Sequence, residues 1–246
     1  MVRTVFHALG GYLALLFLLR LVVGTWIERR WPAYRVSLRR VFLGDLVTTL
    51  FLAFVTFPAA GWVAGHLRLA SLLPQITWSL PLRFLAYLVL VDLGHYWIHR
   101  LMHLPLFWRI HKWHHAPEHM GWLAGNRESF LDRLLVSIPY TLLWPLVGLS
   151  PGWLLLGLTA FSQVKNDWMH LNVDWRTGWL EGVLVTPRYH HVHHSTDPAH
   201  YTSNLAPLFS FWDRLFGTYQ DPAQTAGKLS FGIGERVPLP RLMTGL

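Results

Sequence analysis

The sequence of 246 residues contains no cysteine. This absence excludes disulfides, iron–sulfur clusters and a haem ligated by a thiolate. Charged residues are also scarce, at 14% of the chain where a soluble domain has about 25%, and hydrophobic residues make up 52%. We therefore expect lipid rather than water to surround much of the chain, whose length suits one structural unit.

Acidic residues are fewer than basic ones, 13 against 21, and the chain carries a formal net charge of +8. Residues 1–133 hold 14 Lys and Arg against 6 Asp and Glu, whereas residues 134–246 hold 7 of each. Five arginines between Arg29 and Arg40 lie between two apolar stretches, as in a cytoplasmic loop that joins membrane spans. This localised excess predicts a membrane, and no nucleic acid, as the partner.

Several apolar segments are candidates for membrane-spanning helices, which need about 20 residues each. They are residues 6–27, 41–67, 76–98 and 134–164. The last is broken between Pro145 and Gly152 into two short halves, which favours a helical hairpin or a re-entrant pair. No small-residue cleavage site follows the first segment, so we expect a retained helix rather than a signal peptide.

The charge bias also predicts the topology. If the arginine loop is cytoplasmic, the second span leads out and the third returns, which places His99 and all later histidines on the cytoplasmic side. The predicted fold is an all-α integral membrane protein with about four transmembrane helices, two of them able to form a short hairpin, and a cytosolic helical cap. Residues 1–75 would form the N-terminal helices and basic loop, and residues 76–246 the catalytic region, with its core at 92–219.

Histidine is unusually abundant, with 15 in the chain against 13 Asp and Glu together. The motif His-x-x-His-His occurs twice, at 111–115 and 190–194, and its positions i, i+3 and i+4 share one face of a helix. His99 and His103 are likewise four residues apart, and His170 stands alone. The predicted metal ligands are His99, His103, His111, His114, His115, His170, His190, His193 and His194.

The number of these histidines predicts two metal ions. A zinc site takes about four ligands, whereas nine imidazoles suit two metals with four or five ligands each. Imidazole binds iron, zinc, copper and nickel, and the scarcity of acids excludes a carboxylate-rich di-metal site.

The remaining histidines receive other interpretations. His95 extends the face of His99 by one turn, and its metal role stays open, while His191 should point away from the face of its neighbours. We interpret the others as ordinary polar side chains. These are His7, His66, His119 and His200.

The motifs resemble those of the fatty acid hydroxylase/sterol desaturase superfamily, over residues 92–219. The matching segments are His99–His103, His111–His115, Thr186–His194 and Phe211–Tyr219. The resemblance implies two iron ions, O2 as co-substrate, and hydroxylation or desaturation of a fatty acyl chain, a sterol or an ether lipid. It also implies a transmembrane stem under a cytosolic cap. The bacterial branch and the ether-lipid monooxygenases are the most similar, which predicts a multi-pass protein of a bacterial inner membrane.

Two positions depart from the family pattern. His95 stands where an aromatic residue is common, and Asn166 stands four residues before His170, where some members bring a second histidine. The ligand count at these positions stays open. Asp92 and Asp167 could hold imidazole N–H groups from outside the metal shell, or pair with Arg100 or Lys165.

The electrons must come from another protein, since no Gly-x-Gly-x-x-Gly fingerprint for a nucleotide cofactor is present. We expect a ferredoxin or a cytochrome. Arg109, Lys112 and Arg127 could form part of its docking surface, although solvated charge is the commoner explanation for such residues.

Three other functions compete with this interpretation. A membrane zinc hydrolase would usually carry His-Glu-x-x-His, which is absent, and Glu128 would be its candidate base. A haem-bearing electron-transfer protein would need paired histidines inside the bilayer. A metal transporter would need an ionisable residue at mid-span, where Asp45 is the main candidate.

Overall fold

A computed structural model describes residues 2–36, 38–56, 77–147, 152–225 and 229–246. Within these ranges the regular structure is helical. The β-type pairing in them is limited to two isolated bridges, and they contain no strand. The all-α prediction is therefore confirmed for this part of the chain. The predicted boundary at residue 75, and residues 57–67 of the second predicted span, lie outside it.

The helices of the described ranges are numbered in chain order. They are α1 Val2–Arg30, α2 Leu38–Phe51, α3 Leu80–Met102, α4 Trp108–His115, α5 Phe130–Val147, α6 Gly152–His170, α7 Pro187–His193, α8 Phe211–Leu215 and α9 Leu239–Thr244. A π-helical turn, Leu52–Thr56, continues α2. At the start of α7, Pro187 has the backbone angle of a first helical residue, and the side chain of Thr186 accepts the Tyr189 N–H.

The predicted break in the last apolar segment is confirmed. It gives two helices, α5 and α6, which both pack on α3. Tyr87 and Val91 of α3 are buried between them. Gly94 permits the close approach of α5, because a Cβ there would lie 2.7 Å from the Cβ of Pro139.

The outward surfaces of the long helices are apolar. Val22 of α1 is 67% exposed and Leu43 of α2 is 69% exposed. Among the described residues, one helical segment, Gly11–Arg30, is long and apolar enough to cross a membrane, and Phe42–Val55 is a shorter apolar helix. The remaining predicted spans stay a prediction.

The histidines gather at one end of these helices. His99 lies near the end of α3, and His170 is the last residue of α6. At the end of α1, the Glu28 carboxylate accepts the backbone N–H groups of Trp122, at 2.7 Å, and Asn172, at 2.9 Å. The arginine-bearing end of α1 therefore lies on the same side of the helical stem as the histidines.

The cap consists of the segments that follow α3 and α6, and a buried carboxylate organises its C-terminal part. Asp213 of α8 accepts the backbone N–H groups of Leu205 and Ala206, each at 2.8 Å, and the hydroxyl groups of Tyr189 and Thr218. Burial raises the pKa of Asp213, which these hydrogen bonds oppose. The carboxylate thus fixes the backbone of a loop, 203–206, that reaches the histidines.

Candidate metal centre

All nine predicted ligands converge in the interior of the cap, in two groups. Within each group the potential ligand atoms lie within 4.8 Å of one another. The five-histidine group contains His99, His103, His111, His115 and His193. The four-histidine group contains His114, His170, His190 and His194.

Helical geometry explains how adjacent residues reach different groups. Consecutive residues of a helix point about 100° apart, so His114 and His115 of α4 face different groups. His193 and His194, at the end of α7, diverge in the same way. Each His-x-x-His-His motif therefore supplies both groups.

Most of these imidazoles have an oxygen atom within hydrogen-bond distance of Nδ1. The Nδ1 atoms of His99 and His193 lie 2.7 and 2.9 Å from the carbonyl oxygens of Leu205 and Ser203. The remaining acceptors are the carbonyl groups of Asn166 and Arg127, behind His170 and His114, and the Asp132 carboxylate, behind His111. Such partners fix both the orientation of the ring and the position of its proton.

This pattern leaves lone pairs facing one another. A carbonyl oxygen only accepts, so the proton of His99 is on Nδ1 and its Nε2 carries a lone pair. The same holds for His111 against the Asp132 carboxylate, yet the Nε2 atoms of His99 and His111 lie 3.0 Å apart. Two lone pairs at this distance repel each other unless a cation lies between them.

The four-histidine group repeats the arrangement. The Nε2 atoms of His114 and His170 lie 3.2 Å apart, and both Nδ1 atoms face backbone carbonyl oxygens. Three further Nε2 atoms, those of His103, His115 and His193, are buried without a hydrogen-bond partner. Buried polar atoms are otherwise nearly always paired. The residues therefore fit two metal cations.

The nitrogen spacings within a group also fit a shared metal ion. The Nε2 atom of His190 lies 3.0 Å from those of both His170 and His194. Two imidazole nitrogens bound to one metal at about 2.1 Å are about 3.0–3.4 Å apart, so these atoms are close enough to bind the same ion.

The histidines are neutral in this environment. Burial lowers the pKa of His114 to about 4 and that of His103 to about 3. It lowers the pKa of His111, His115 and His193 well below the usual value, with neighbouring imidazoles adding to the effect. Metal ions bind the neutral imidazole. By lowering the pKa of these histidines, burial therefore keeps them in the form that binds a metal.

Asp132, which the sequence did not indicate, takes the role expected of Asp92 and Asp167. Its carboxylate lies 2.7 Å from Nδ1 of His111 and is buried. It lies in the first turn of α5, 21 residues after its partner, so no local spacing connects the two. An acid in the first turn of a largely apolar helix was the available signal.

The expectation for Asp92 and Asp167 is wrong. Asp92 accepts the backbone N–H of Phe209 and the indole N–H of Trp212. Asp167 forms a two-pronged ion pair with Arg20 of α1, at 2.5 and 2.6 Å. Asp92 therefore joins the stem to the cap, and Asp167 joins α6 to α1, and neither orients an imidazole.

The remaining histidines are partly explained by their contacts. His191 points away from its neighbours, as predicted, and its Nε2 lies 2.9 Å from the carbonyl oxygen of Leu171. His119 contacts Asp45 and His200 contacts Ser195, as expected for ordinary polar side chains. His7 and His66 have no described side chain.

His95 and Asn166 contribute differently. His95 belongs to neither group, and its Nδ1 atom is buried without a hydrogen-bond partner. Asn166 contributes its backbone carbonyl to His170, and its side-chain amide donates to Asn126.

Two neighbouring chambers that share part of their lining lie beside the histidines. The inner chamber, of about 60 Å³, is lined by His95, His99, His111, His114, His170 and His190, together with polar residues. The outer chamber, of about 370 Å³, lies between α3, α5 and α6 and is largely apolar, with Tyr87, Val91, Leu158 and Phe161 in its wall. Five residues line both chambers, and we call them the constriction. They are Arg133, Tyr140, Ser162, Gln163 and Lys165.

Two of the three cations considered for docking are in ion pairs. Arg127 donates twice to Asp45, which is buried, and this pairing also neutralises the acid considered for a transporter. Lys112 lies 2.6 Å from Glu235. Arg109 is exposed and forms no ion pair within the described part of the chain.

In the described ranges, an all-helical fold with nine converging imidazoles in its interior is typical of a histidine-rich metal site. Residues 84–218, more than half of the chain, match the fatty acid hydroxylase family, and the chain belongs to that family. The predicted superfamily is confirmed.

Several curated proteins are similar. The alkylglycerol monooxygenase of Danio rerio is 29% identical over 230 residues, which cover 89% of this chain and 48% of the relative. The ornithine lipid hydroxylase of Rhizobium tropici is 34% identical over 148 residues, 59% of this chain and 44% of the relative. A Delta(7)-sterol 5(6)-desaturase of Gibberella zeae is 31% identical over 169 residues, which cover 66% of this chain and 49% of the relative. The chain thus spans about half the length of these relatives, and no solved structure matches it.

Proposed function

We propose that this chain is a membrane-bound, O2-dependent oxidoreductase that hydroxylates or desaturates a lipid, with one iron ion in each histidine group. The family and the names of its relatives, all lipid-oxidising enzymes, support lipid oxidation. The facing lone pairs of His114 and His170, whose Nδ1 atoms both face backbone carbonyl oxygens, are the observation that carries the metal assignment.

Iron is favoured over zinc by the family and by the chemistry of the proteins that resemble this chain. The chain belongs to the fatty acid hydroxylase family, and its relatives are named as monooxygenases, hydroxylases and desaturases. Imidazole binds both metals, and nine converging imidazoles exceed the four ligands of one zinc site.

Bound iron would supply the ability to activate O2 and to break an unactivated C–H bond. In a hydroxylation, one oxygen atom enters the C–H bond and the other leaves as water, which consumes two electrons and two protons. The protein holds most of the imidazoles through an Nδ1 partner, so these donor atoms need little reorganisation. Both histidine groups are buried apart from the partly buried His103, which limits the access of water.

The lipid would enter from the bilayer through the outer chamber. Its walls are apolar and its volume of about 370 Å³ lies in the range of ligand pockets, about 300–1,000 Å³. The exposed apolar surfaces of α1 and α2, together with the span Gly11–Arg30, support an integral membrane protein. The arginine-bearing end of α1 lies with the histidines, so the positive-inside rule would place the metal centre at the cytoplasmic face.

An external ferredoxin or cytochrome would supply the electrons. Arg109 is exposed on α4, the helix that carries His111, His114 and His115. A negatively charged donor docked there would be close to both metals, because α4 contributes ligands to each group.

Metal analysis of protein purified without oxygen tests the proposal. We expect about two irons per chain and O2 consumption that requires both a lipid and a reductant. Zinc that supports hydrolysis of a lipid without O2, with Glu128 as the base, would contradict it. Zinc content alone would not, since zinc readily occupies histidine sites.

A further inference from the structure

The constriction between the two chambers carries an unpaired positive charge. Lys165 of α6 lines both chambers and forms no hydrogen bond or ion pair with any described residue. A side chain of this type is usually solvated or paired. Here it lies part-buried, five residues before the metal-site residue His170.

The surrounding groups do not neutralise this lysine. The carboxylate of Asp92 attracts the ammonium group of Lys165 across the outer chamber. This carboxylate already accepts hydrogen bonds from Phe209 and Trp212, however, and forms no ion pair with Lys165. Glu128, in the inner chamber, is paired with Arg133 at 3.1 Å. The ammonium group of Lys165 is therefore available to a ligand in the passage.

Other polar groups accompany it. Gln163, Ser162 and Tyr140 line both chambers with the lysine. The Nδ1 atom of His95, which lines the inner chamber, is buried without a partner. An aliphatic chain passing this point would leave these groups unpaired, at a cost that a polar head group avoids.

The volumes restrict how a lipid can lie. The inner chamber, of about 60 Å³, has room for roughly two groups the size of a water molecule, at about 30 Å³ each. The outer chamber is about six times larger and apolar. A long chain therefore fits in the outer chamber, and only a few atoms can extend past the constriction towards the histidines.

We propose that the substrate is an anionic lipid whose carboxylate or phosphate binds Lys165 at the constriction, so that a carbon within a few bonds of the head group faces the metal centre. This inference rests on the proposed function and makes it more specific. It excludes oxidation in the middle or at the end of an aliphatic chain, since those carbons would remain in the outer chamber.

Equilibrium binding to the metal-loaded protein, without reductant so that no turnover occurs, tests the proposal. The probes are four lipids with equal chain length. They are a fatty acid, a lysophosphatidate, a monoacylglycerol and an alkylglycerol. We expect the fatty acid or the lysophosphatidate to bind at least about tenfold more tightly than the neutral lipids, and the tighter of the two identifies the head group.

Lys165→Met should remove this preference and leave the binding of neutral lipids unchanged, whereas Lys165→Arg should retain it. Arg236→Met, which removes an exposed charge elsewhere, is the control and should bind as the unaltered protein does. Equal binding of neutral and anionic lipids by the unaltered protein would overturn the proposal, even if Lys165→Met failed to fold. A preference unchanged in Lys165→Met would overturn it as well.

The proposed function can fail separately. Protein that binds anionic lipid through Lys165 but never consumes O2 would contradict the proposed function alone. Protein that oxidises only neutral lipids would contradict the role of Lys165 and leave lipid oxidation intact.

Discussion

The stem and the cap of this protein are stabilised by opposite kinds of contact. The outward faces of α1 and α2 expose large apolar side chains, such as Leu19 and Leu43, that lipid would cover favourably. The interior of the cap instead contains nine imidazoles and a buried carboxylate, Asp213. If the proposed function is correct, the stem depends on the surrounding lipid and the cap on its bound metals, and perturbations of one should leave the other largely intact.

Metal removal should separate the two regions most strongly. The facing Nε2 atoms would lose the cations between them, and each unsatisfied buried polar group costs about 1–3 kcal/mol. We expect a chelator to abolish activity and to expose amides of residues 99–218 to hydrogen exchange, while α1 stays protected in detergent. A cap that keeps its protection without metal would contradict the comparison.

Neighbouring histidines offer the next largest contrast. His190→Ala should empty the four-histidine group and lower the oxidation rate at least about 1,000-fold, because His190 contacts both His170 and His194. His191→Ala loses one hydrogen bond, to Leu171, and should keep its iron while losing about 1–3 kcal/mol of stability. Iron content and thermal unfolding of the two variants provide the measurement. Equal iron loss in both would refute the assignment.

Removing the carboxylate behind His111 should have a smaller effect. Asp132→Asn keeps the size of the side chain but weakens the hold on Nδ1, and we expect iron affinity to fall about 10–100-fold. Asp167→Asn is the matched control, since Asp167 pairs with Arg20 instead of an imidazole. Competition with a chelator measures both variants, and an equal loss in both would show that Asp132 acts through general stability.

The pH dependence should also distinguish cap from stem. Burial lowers the pKa of His191, which contacts no metal, to about 4. The folded state thus binds this proton less readily than the unfolded state, so its contribution to stability is full above pH 6.5 and is lost as the pH falls towards 4. The loss amounts to about 3 kcal/mol over that interval. Chemical unfolding of the iron-loaded cap at several pH values measures it, and His191→Gln should flatten the dependence.

The sequence predicted the parts of the site that depend on local spacing. All nine histidines brought together were predicted, most of them from the repeat of i, i+3 and i+4 positions, and the orientation of His191 followed from the same geometry. The division into five and four was not predictable, because it depends on how α3, α4, α6 and α7 approach one another.

Partners distant in sequence were harder to foresee. Asp132 was missed, and Asp92 and Asp167 contact none of the partners considered for them, which were an imidazole, Arg100 or Lys165. A carboxylate near a histidine in sequence has many competing donors in the fold, and in this protein an indole and an arginine provide them. The apolar pattern predicted the break between α5 and α6, but composition alone did not define how many helices cross the bilayer.

The backbone carbonyl behind His99 has a consequence for biogenesis. Its acceptor is Leu205, 106 residues later, whose loop is held by Asp213 and Thr218. Contacts between such distant residues form late, because long chain closures precede any gain from the contact. During synthesis the first histidine helix would enter the membrane with its ligand rings unoriented until residue 218 has left the ribosome. We expect iron to be acquired after translation of this segment, on a stem that is already inserted.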